Sequence, residues 1–79
     1  MYLEIITPEK KVFEGEVSSI MVPGAQGRFQ MLDNHASIIS TLINGTVKVK
    51  TAKGEESFEL SGGVVEMLKN KIIILAESV

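Results

Sequence analysis

The sequence predicts an all-β domain, because apolar residues alternate with polar ones at a period of two and turn residues interrupt the runs at short intervals. The alternation is found around Leu3 and Ile5, Phe29 and Met31, Val47 and Val49, and Phe58 and Leu60. No clean helical stripe of ten residues or more is present. Many short strands with regularly spaced turns are typical of a β-sandwich or a β-barrel.

Eight dipeptides mark the predicted turns. They are Thr7-Pro8, Glu14-Gly15, Pro23-Gly24, Asp33-Asn34, Asn44-Gly45, Lys53-Gly54, Gly62-Gly63 and Lys69-Asn70. Lys53-Gly54 lies between two alternating runs and predicts a tight hairpin. The paired glycines after Ser61 predict a bulge or the close approach of another backbone. Ile72 to Leu75 form a continuous apolar run, which predicts a strand covered on both faces.

Length and composition restrict the class of protein. The 79 residues suffice for one small domain, residues 1–79, and the net charge of −2 argues against a general nucleic-acid binder. The same charge argues against an anionic membrane surface as a direct partner. The absence of cysteine excludes disulfides and thiolate metal sites, and no signal peptide is visible. The longest apolar run, Ile72–Ala76, is too short to span a bilayer.

Asp33-Asn34-His35 is the one segment where a histidine adjoins a carboxylate in sequence. A general base or a metal site is one interpretation, but zinc needs three or four ligands and the chain has one histidine. We therefore favour a turn in which His35 caps or packs, followed by an interface role, with catalysis third. We predict no catalytic residue, no metal and no cofactor.

Two further segments have competing interpretations. Residues 23–28 form a glycine-bearing loop, but a phosphate cradle needs a following helix, whereas Phe29 to Leu32 predict a strand. A shaped loop that contacts a partner fits better. Lys53 at a hairpin tip is also typical of small β-barrel carriers of lipoyl or biotinyl groups, and this carrier function is our alternative. Lys48 and Lys50, on one strand face, predict a solvated surface, and Glu55 and Glu56 point to opposite faces.

Taken together, several segments resemble the epsilon subunit of F-type ATP synthases. They are residues 3–10, Val12-Phe13-Glu14-Gly15-Glu16-Val17, Val22-Pro23-Gly24, Gly27, Leu32, Asn34-His35-Ala36, Asn44-Gly45-Thr46-Val47, Ser61-Gly62-Gly63-Val64-Val65-Glu66 and Ile73-Ile74-Leu75-Ala76-Glu77. Each motif alone is weak, but the set occurs in order over essentially the whole chain. The resemblance implies a flattened antiparallel β-sandwich of about ten short strands, equivalent to the family's N-terminal domain.

The resemblance also implies a function. The chain would be a non-catalytic rotor subunit of the central stalk, coupling the ring of c subunits to the gamma subunit during ATP synthesis. It would be peripheral on the cytoplasmic face of a bacterial inner membrane, held there through the complex. The loop of Ala25, Gln26, Gly27 and Arg28 would face the c ring, and His35 would lie near the gamma-facing region.

The sequence departs from the family pattern at several positions. Glycine is common where Gln30 stands, and proline where Asp33 and Ser37 stand. Arg28 replaces a commonly acidic residue, which predicts a reversed partner charge on the c ring. Many relatives continue into a regulatory helical hairpin, and because this sequence stops at Val79 we expect no inhibition of hydrolysis by that route and no regulatory ATP site. Candidates for an apolar patch covered by a partner are Met21, Met31, Ile38 and Ile39.

Overall fold

The structure, a computed structural model, describes residues 1–33 and 36–78. Seven strands form one sheet: β1 (Tyr2–Ile6), β2 (Lys11–Glu16), β3 (Ser19–Gly24), β4 (Gly27–Leu32), β5 (Ile38–Thr51), β6 (Gly54–Leu68) and β7 (Lys71–Ala76). Their order across the sheet is β2-β1-β7-β6-β5-β3-β4, and every pair is antiparallel except β1 and β7, which are parallel. Within the described ranges there is no helix, and hence none long and apolar enough to cross a membrane. The all-β prediction is confirmed.

The sheet has seven strands rather than about ten, because three predicted turns lie inside strands. Glu14-Gly15 belongs to β2, Asn44-Gly45 to β5 and Gly62-Gly63 to β6. The two long strands pair in one unbroken register from Ile38 opposite Met67 to Thr51 opposite Gly54. Asn44-Gly45 and Gly62-Gly63 therefore bend this long hairpin without reversing the chain.

The bend changes which side chains face inward. In β5 the buried residues change from the even-numbered Leu42 to the odd-numbered Val47. In β6 they change from the even-numbered Leu60 to the odd-numbered Val65. Because side chains of one strand face recur at a period of two, such a change means that the alternation is interrupted at the bend in both strands.

The long strands consequently belong to two layers. The first layer contains β1, β2, β7 and residues 38–43 and 63–68; the second contains β3, β4 and residues 45–51 and 54–61. The overall extents of 26 × 26 × 17 Å are those of a flattened sandwich. Between the layers lies one apolar core, whose fully buried large side chains are Leu3, Ile5, Ile20, Val22, Met31, Val47, Val49, Val65, Met67, Ile72 and Ile74. Met31, predicted to lie in a covered surface patch, is instead part of this core.

The amino terminus ties the ends of the two layers together. The Met1 amine donates to the Val17 carbonyl at 3.2 Å and to the Asp33 carboxylate at 3.0 Å. Asp33 directly follows β4 in the second layer, whereas Met1 directly precedes β1 in the first. The hydrogen bond to Asp33 is the main cause that raises the pKa of the amine above its ordinary value of 8.0.

Candidate partner-binding surface

The outer face of the first layer carries most of the exposed large apolar side chains. Its exposed side chains include Ile39, Ile43, Val64, Leu68 and Leu75, each between 41% and 74% exposed. We call these five residues, with the half-buried Ile6 and Ile73, the apolar face. Isolated exposed apolar residues are ordinary in soluble proteins, but a contiguous group of this kind marks an interaction site.

The strand register shows that these side chains are contiguous. Thr41 of β5 is opposite Val64 of β6, which is opposite Leu75 of β7, which is opposite Ile6 of β1. Cross-strand partners project to the same face, and neighbouring strands are about 4.8 Å apart. The row thus extends over roughly 14 Å across four strands.

A shallow cavity of about 600 Å³ lies along this row. Its lining comprises Ile6, Thr7, Pro8, Thr41, Gly63, Val64, Leu75, Ala76 and Glu77. Gly63 has a φ of +152°, and a side chain there would overlap the Leu75 carbonyl oxygen, so β6 and β7 approach closely beneath the cavity. This agrees with the close backbone approach predicted for the paired glycines. A concave apolar site of this kind suits an apolar anchor side chain of a partner.

Charged residues border the apolar face on the side of β2. The Lys11 ammonium lies 3.0 Å from the Glu4 carboxylate and 3.1 Å from that of Glu14, and Lys71 lies 3.7 Å from Glu4. The Tyr2 hydroxyl donates to Glu14. Apolar centres with a polar rim are typical of protein interfaces.

These rim contacts shift the ionisation of three groups. The Tyr2 hydrogen bond, followed by that of Lys11, lowers the pKa of Glu14, and the hydrogen bond to Glu14 raises the pKa of Tyr2. Hydrogen bonds to Glu4 and then Glu14 raise the pKa of Lys11. Lys11 and Glu14 are therefore charged at neutral pH, and they lie beside the apolar face.

The outer face of the second layer is mainly polar. Its exposed side chains include Lys48, Lys50, Glu55, Ser57 and Glu59. The solvated surface predicted at Lys48 and Lys50 is confirmed, and both Glu55 and Glu56 are exposed. The two outer faces of the protein therefore differ, one being rich in exposed apolar side chains and the other in polar ones.

The predicted c-ring loop is a two-residue hairpin between β3 and β4. Ala25 and Gln26 form the turn, whereas Gly27 and Arg28 already belong to β4. The Ala25 amide donates to the Thr41 carbonyl at 2.9 Å, which holds the hairpin against the first part of β5. Arg28 is exposed, and none of the ion pairs within the described residues includes it. The structure thus leaves the Arg28 guanidinium available to a partner.

The predicted His35 lies outside the described residues, as does Asn34. The adjacent Asp33 carboxylate is engaged by the Met1 amine. No group of three or more potential metal ligands occurs in residues 1–33 and 36–78.

Lys53 is exposed at the tip of the β5–β6 hairpin, as predicted. Its amide donates to the Thr51 hydroxyl at 3.1 Å, so local hydrogen bonding explains the turn. The alternative function as a lipoyl or biotinyl carrier depends on this position alone.

Sequence reasoning found only part of the apolar face. Ile39 was predicted as a patch residue and is 74% exposed, but Ile43, Leu68 and Leu75 were missed. The strand alternation could have identified Leu75, because it follows the buried Ile74 and therefore points to the opposite face of β7. The continuous run was instead taken to be covered on both faces, which is wrong for the chain by itself.

The fold and its surface define a class of protein, a small β-sandwich domain with exposed apolar side chains on one outer face. Residues 1–79 match the family described as "ATP synthase, Delta/Epsilon chain, beta-sandwich domain", and the chain belongs to this family. This membership does not favour the carrier alternative.

Relatives and solved structures agree with the family assignment. The ATP synthase epsilon chain of Chlorobium limicola is 42% identical over 78 residues, which cover 98% of this chain and 89% of the relative. A chain in the cryo-EM structure of the Euglena gracilis mitochondrial ATP synthase (OSCP/F1/c-ring) has a TM-score of 0.89 at 19% identity, covering 96% of this chain and 49% of that one. A chain in the Tetrahymena thermophila mitochondrial ATP synthase central stalk/c-ring structure has a TM-score of 0.78 at 19% identity, covering 95% and 61%. This chain therefore spans most of the bacterial relative but only about half to three fifths of the two structural ones.

Proposed function

We propose that this chain is a non-catalytic rotor subunit of an F-type ATP synthase, and that it couples the c ring to the gamma subunit within the central stalk. The observation that carries the proposal is the apolar face, with its adjacent cavity and charged rim, on a member of the epsilon-chain family. A subunit that transmits rotation needs a stable attachment to its neighbours, and covering apolar surface supplies the free energy for that attachment.

The gamma subunit is the partner proposed for the apolar face. The hairpin of Ala25, Gln26, Gly27 and Arg28 is proposed to contact the c ring, and His35 remains proposed for the gamma-facing region. The hairpin is held by Thr41, which belongs to the row that includes Val64 and Leu75. The two proposed contacts are therefore neighbours on one continuous sheet.

The mechanism that follows is mechanical. The c ring would push on the hairpin, and the sheet would pass the torque to the gamma subunit through the apolar face. The described residues share one sheet and one core, so the domain resists deformation between the two contacts. Reaction chemistry would occur on other subunits, and the protein would be peripheral to the cytoplasmic face of a bacterial inner membrane.

The test is binding of the purified gamma subunit from the same source. Leu75→Asp places a charge in the apolar face at a half-exposed position, so the fold should tolerate it while docking buries an unpaired carboxylate. We expect the affinity for gamma to fall by about 30-fold or more.

Ser57→Asp is the matched control, since Ser57 is an exposed strand residue on the polar outer face of the second layer. We expect its affinity to stay near that of the wild type. Absence of binding by the wild-type chain over a range of salt concentrations would refute the rotor function. Equal binding by the wild type and Leu75→Asp would refute the assignment of gamma to this face.

A further inference from the structure

Glu66 is a carboxylate at the centre of the apolar face. Its cross-strand partners are Ile39 on β5 and Ile73 on β7, and Val64 and Leu68 lie two residues away on the same face of β6. All four neighbours in the sheet are thus apolar. Glu66 itself is exposed, so water hydrates its carboxylate before a partner arrives.

Two other carboxylates of this layer have partners. Glu4 pairs with Lys11 and Lys71, and Glu14 pairs with Lys11 and Tyr2. None of the ion pairs within residues 1–33 and 36–78 includes Glu66. Lys71 lines the same small depression as Glu66, but its ammonium is directed to Glu4 at 3.7 Å.

Covering the apolar face would remove water from Glu66. A carboxylate that loses its hydration without gaining a counter-charge opposes association, whereas one that meets a guanidinium or ammonium forms a charge-assisted hydrogen bond. A surface that docks through apolar contacts therefore has to supply a cation at this position, or the acid would weaken the complex.

We infer that the gamma subunit places an arginine or lysine opposite Glu66, and that this ion pair fixes the register in which gamma docks. The inference rests on the proposed function, since it assigns the partner of the same face. A depression of about 340 Å³ beside Glu66 is lined by Ser37, Ile38, Ile39, Glu66, Met67 and Leu68. Its apolar walls suit the aliphatic stem of a long basic side chain, while Glu66 binds the charged end.

The proposed ion pair predicts whether the affinity for gamma rises or falls in the neutral isosteric variant Glu66→Gln. If a cation of gamma faces Glu66, the substitution leaves that cation unpaired, and the affinity for gamma falls by about 30-fold. If no cation is there, removing the buried charge leaves the affinity unchanged or increases it, and this result would overturn the inference.

The measurement is titration of purified gamma subunit with the wild type, Glu66→Gln and the control Glu55→Gln, at low and at high salt. Glu55 is an exposed carboxylate on the second layer, so its substitution should leave the affinity unchanged. We expect Glu66→Gln to reduce the salt dependence as well as the affinity. A panel of gamma variants, each with one basic residue changed to glutamate, should contain one that restores binding to Glu66→Lys; if none restores it, the pairing is wrong.

The Leu75→Asp variant separates this inference from the proposed function. A large loss of affinity for Leu75→Asp together with wild-type affinity for Glu66→Gln would overturn the ion pair and keep the docking face. Failure of the wild type to bind gamma would overturn both. Thermal melting of each variant in isolation should match the wild type, because Glu66 and Leu75 are exposed.

Discussion

The rings of Phe13 and Phe58 meet across the sandwich in an edge-to-face arrangement, with centroids 5.6 Å apart and an interplanar angle of 63°. Phe13 belongs to β2 in the first layer, and Phe58 belongs to the part of β6 in the second. Their strands are separated by β1 and β7 in the sheet order, so the contact exists only because the sheet folds over itself. This aromatic pair therefore joins the outermost strand of the first layer to the second layer.

We predict that Phe58→Ala lowers the free energy of unfolding by about 2–3 kcal/mol, somewhat less than for a fully buried phenylalanine. Combined with Phe13→Ala in a double-mutant cycle, it should show a coupling of about 0.5–1.5 kcal/mol from the edge-to-face geometry. Urea denaturation of the two single variants and the double variant measures both quantities.

Phe29 supplies the control for this cycle. It is a half-buried phenylalanine of β4 that packs against the same core without taking part in the ring pair. Phe29→Ala and Phe13→Ala should therefore be additive. A coupling between them as large as that of Phe13 with Phe58 would contradict a direct aromatic interaction.

The close approach of β6 and β7 predicts that Gly63→Ala destabilises the domain more than Gly54→Ala. Both glycines have positive φ, +152° and +127°, but a Cβ at Gly63 would overlap the Leu75 carbonyl oxygen, whereas one at Gly54 has open space. Backbone strain alone costs about 1–3 kcal/mol, so we expect that range for Gly54→Ala and a larger loss for Gly63→Ala. Equal losses in urea denaturation would show that crowding by β7 contributes nothing.

The sequence predicts the inward residues better than the course of the chain. Alternation correctly places Val47 and Val49 in the core because the period of a strand is a local property. The prediction of a turn at Asn44-Gly45 was wrong. An Asn-Gly dipeptide favours a chain reversal, but it equally favours a bend within a continuous strand. The choice depends on whether the neighbouring strand bends at the same level, as β6 does opposite β5.

The candidate site could be predicted only in part for a similar reason. A continuous apolar run such as Ile72 to Leu75 shows that both faces of a strand favour burial. It does not indicate whether this chain or another subunit covers the second face. The prediction that Met31 lies in a surface patch was wrong. One face of the edge strand β4 lies on the core, and Met31 shares that face with Phe29. Glu66 gains its significance only from Ile39 and Ile73, which are far from it in sequence but adjacent in the sheet.

The hydrogen bond between the Met1 amine and Asp33 predicts a pH-dependent contribution to stability. The pKa of the amine is raised in the folded state, so this contribution is complete below about pH 8 and is lost as the pH rises through the folded-state pKa. Because Asp33 is well exposed, we expect Asp33→Asn to cost about 0.5–1 kcal/mol at neutral pH.

Urea denaturation at neutral and at alkaline pH measures this contribution. The difference between the wild type and Asp33→Asn should shrink at the higher pH, and comparing the two proteins cancels the titration of lysines and tyrosine elsewhere. A difference that stays constant with pH would show that Asp33 acts without the charge of the amine.

The exposed Arg28 predicts a charge-dependent contact with the c ring. If the matching c ring presents an acidic group there, Arg28→Glu replaces attraction with repulsion, and the affinity for the isolated ring should fall by about tenfold or more at low salt. Lys53→Glu changes the charge by the same amount on the hairpin between β5 and β6, outside the proposed contact, and should leave binding unchanged. Added salt should narrow the gap between wild type and Arg28→Glu, because screening weakens both the attraction and the repulsion. Unchanged affinity of Arg28→Glu at low salt would remove Arg28 from the contact, and an equal loss for both variants would show that net charge alone governs binding.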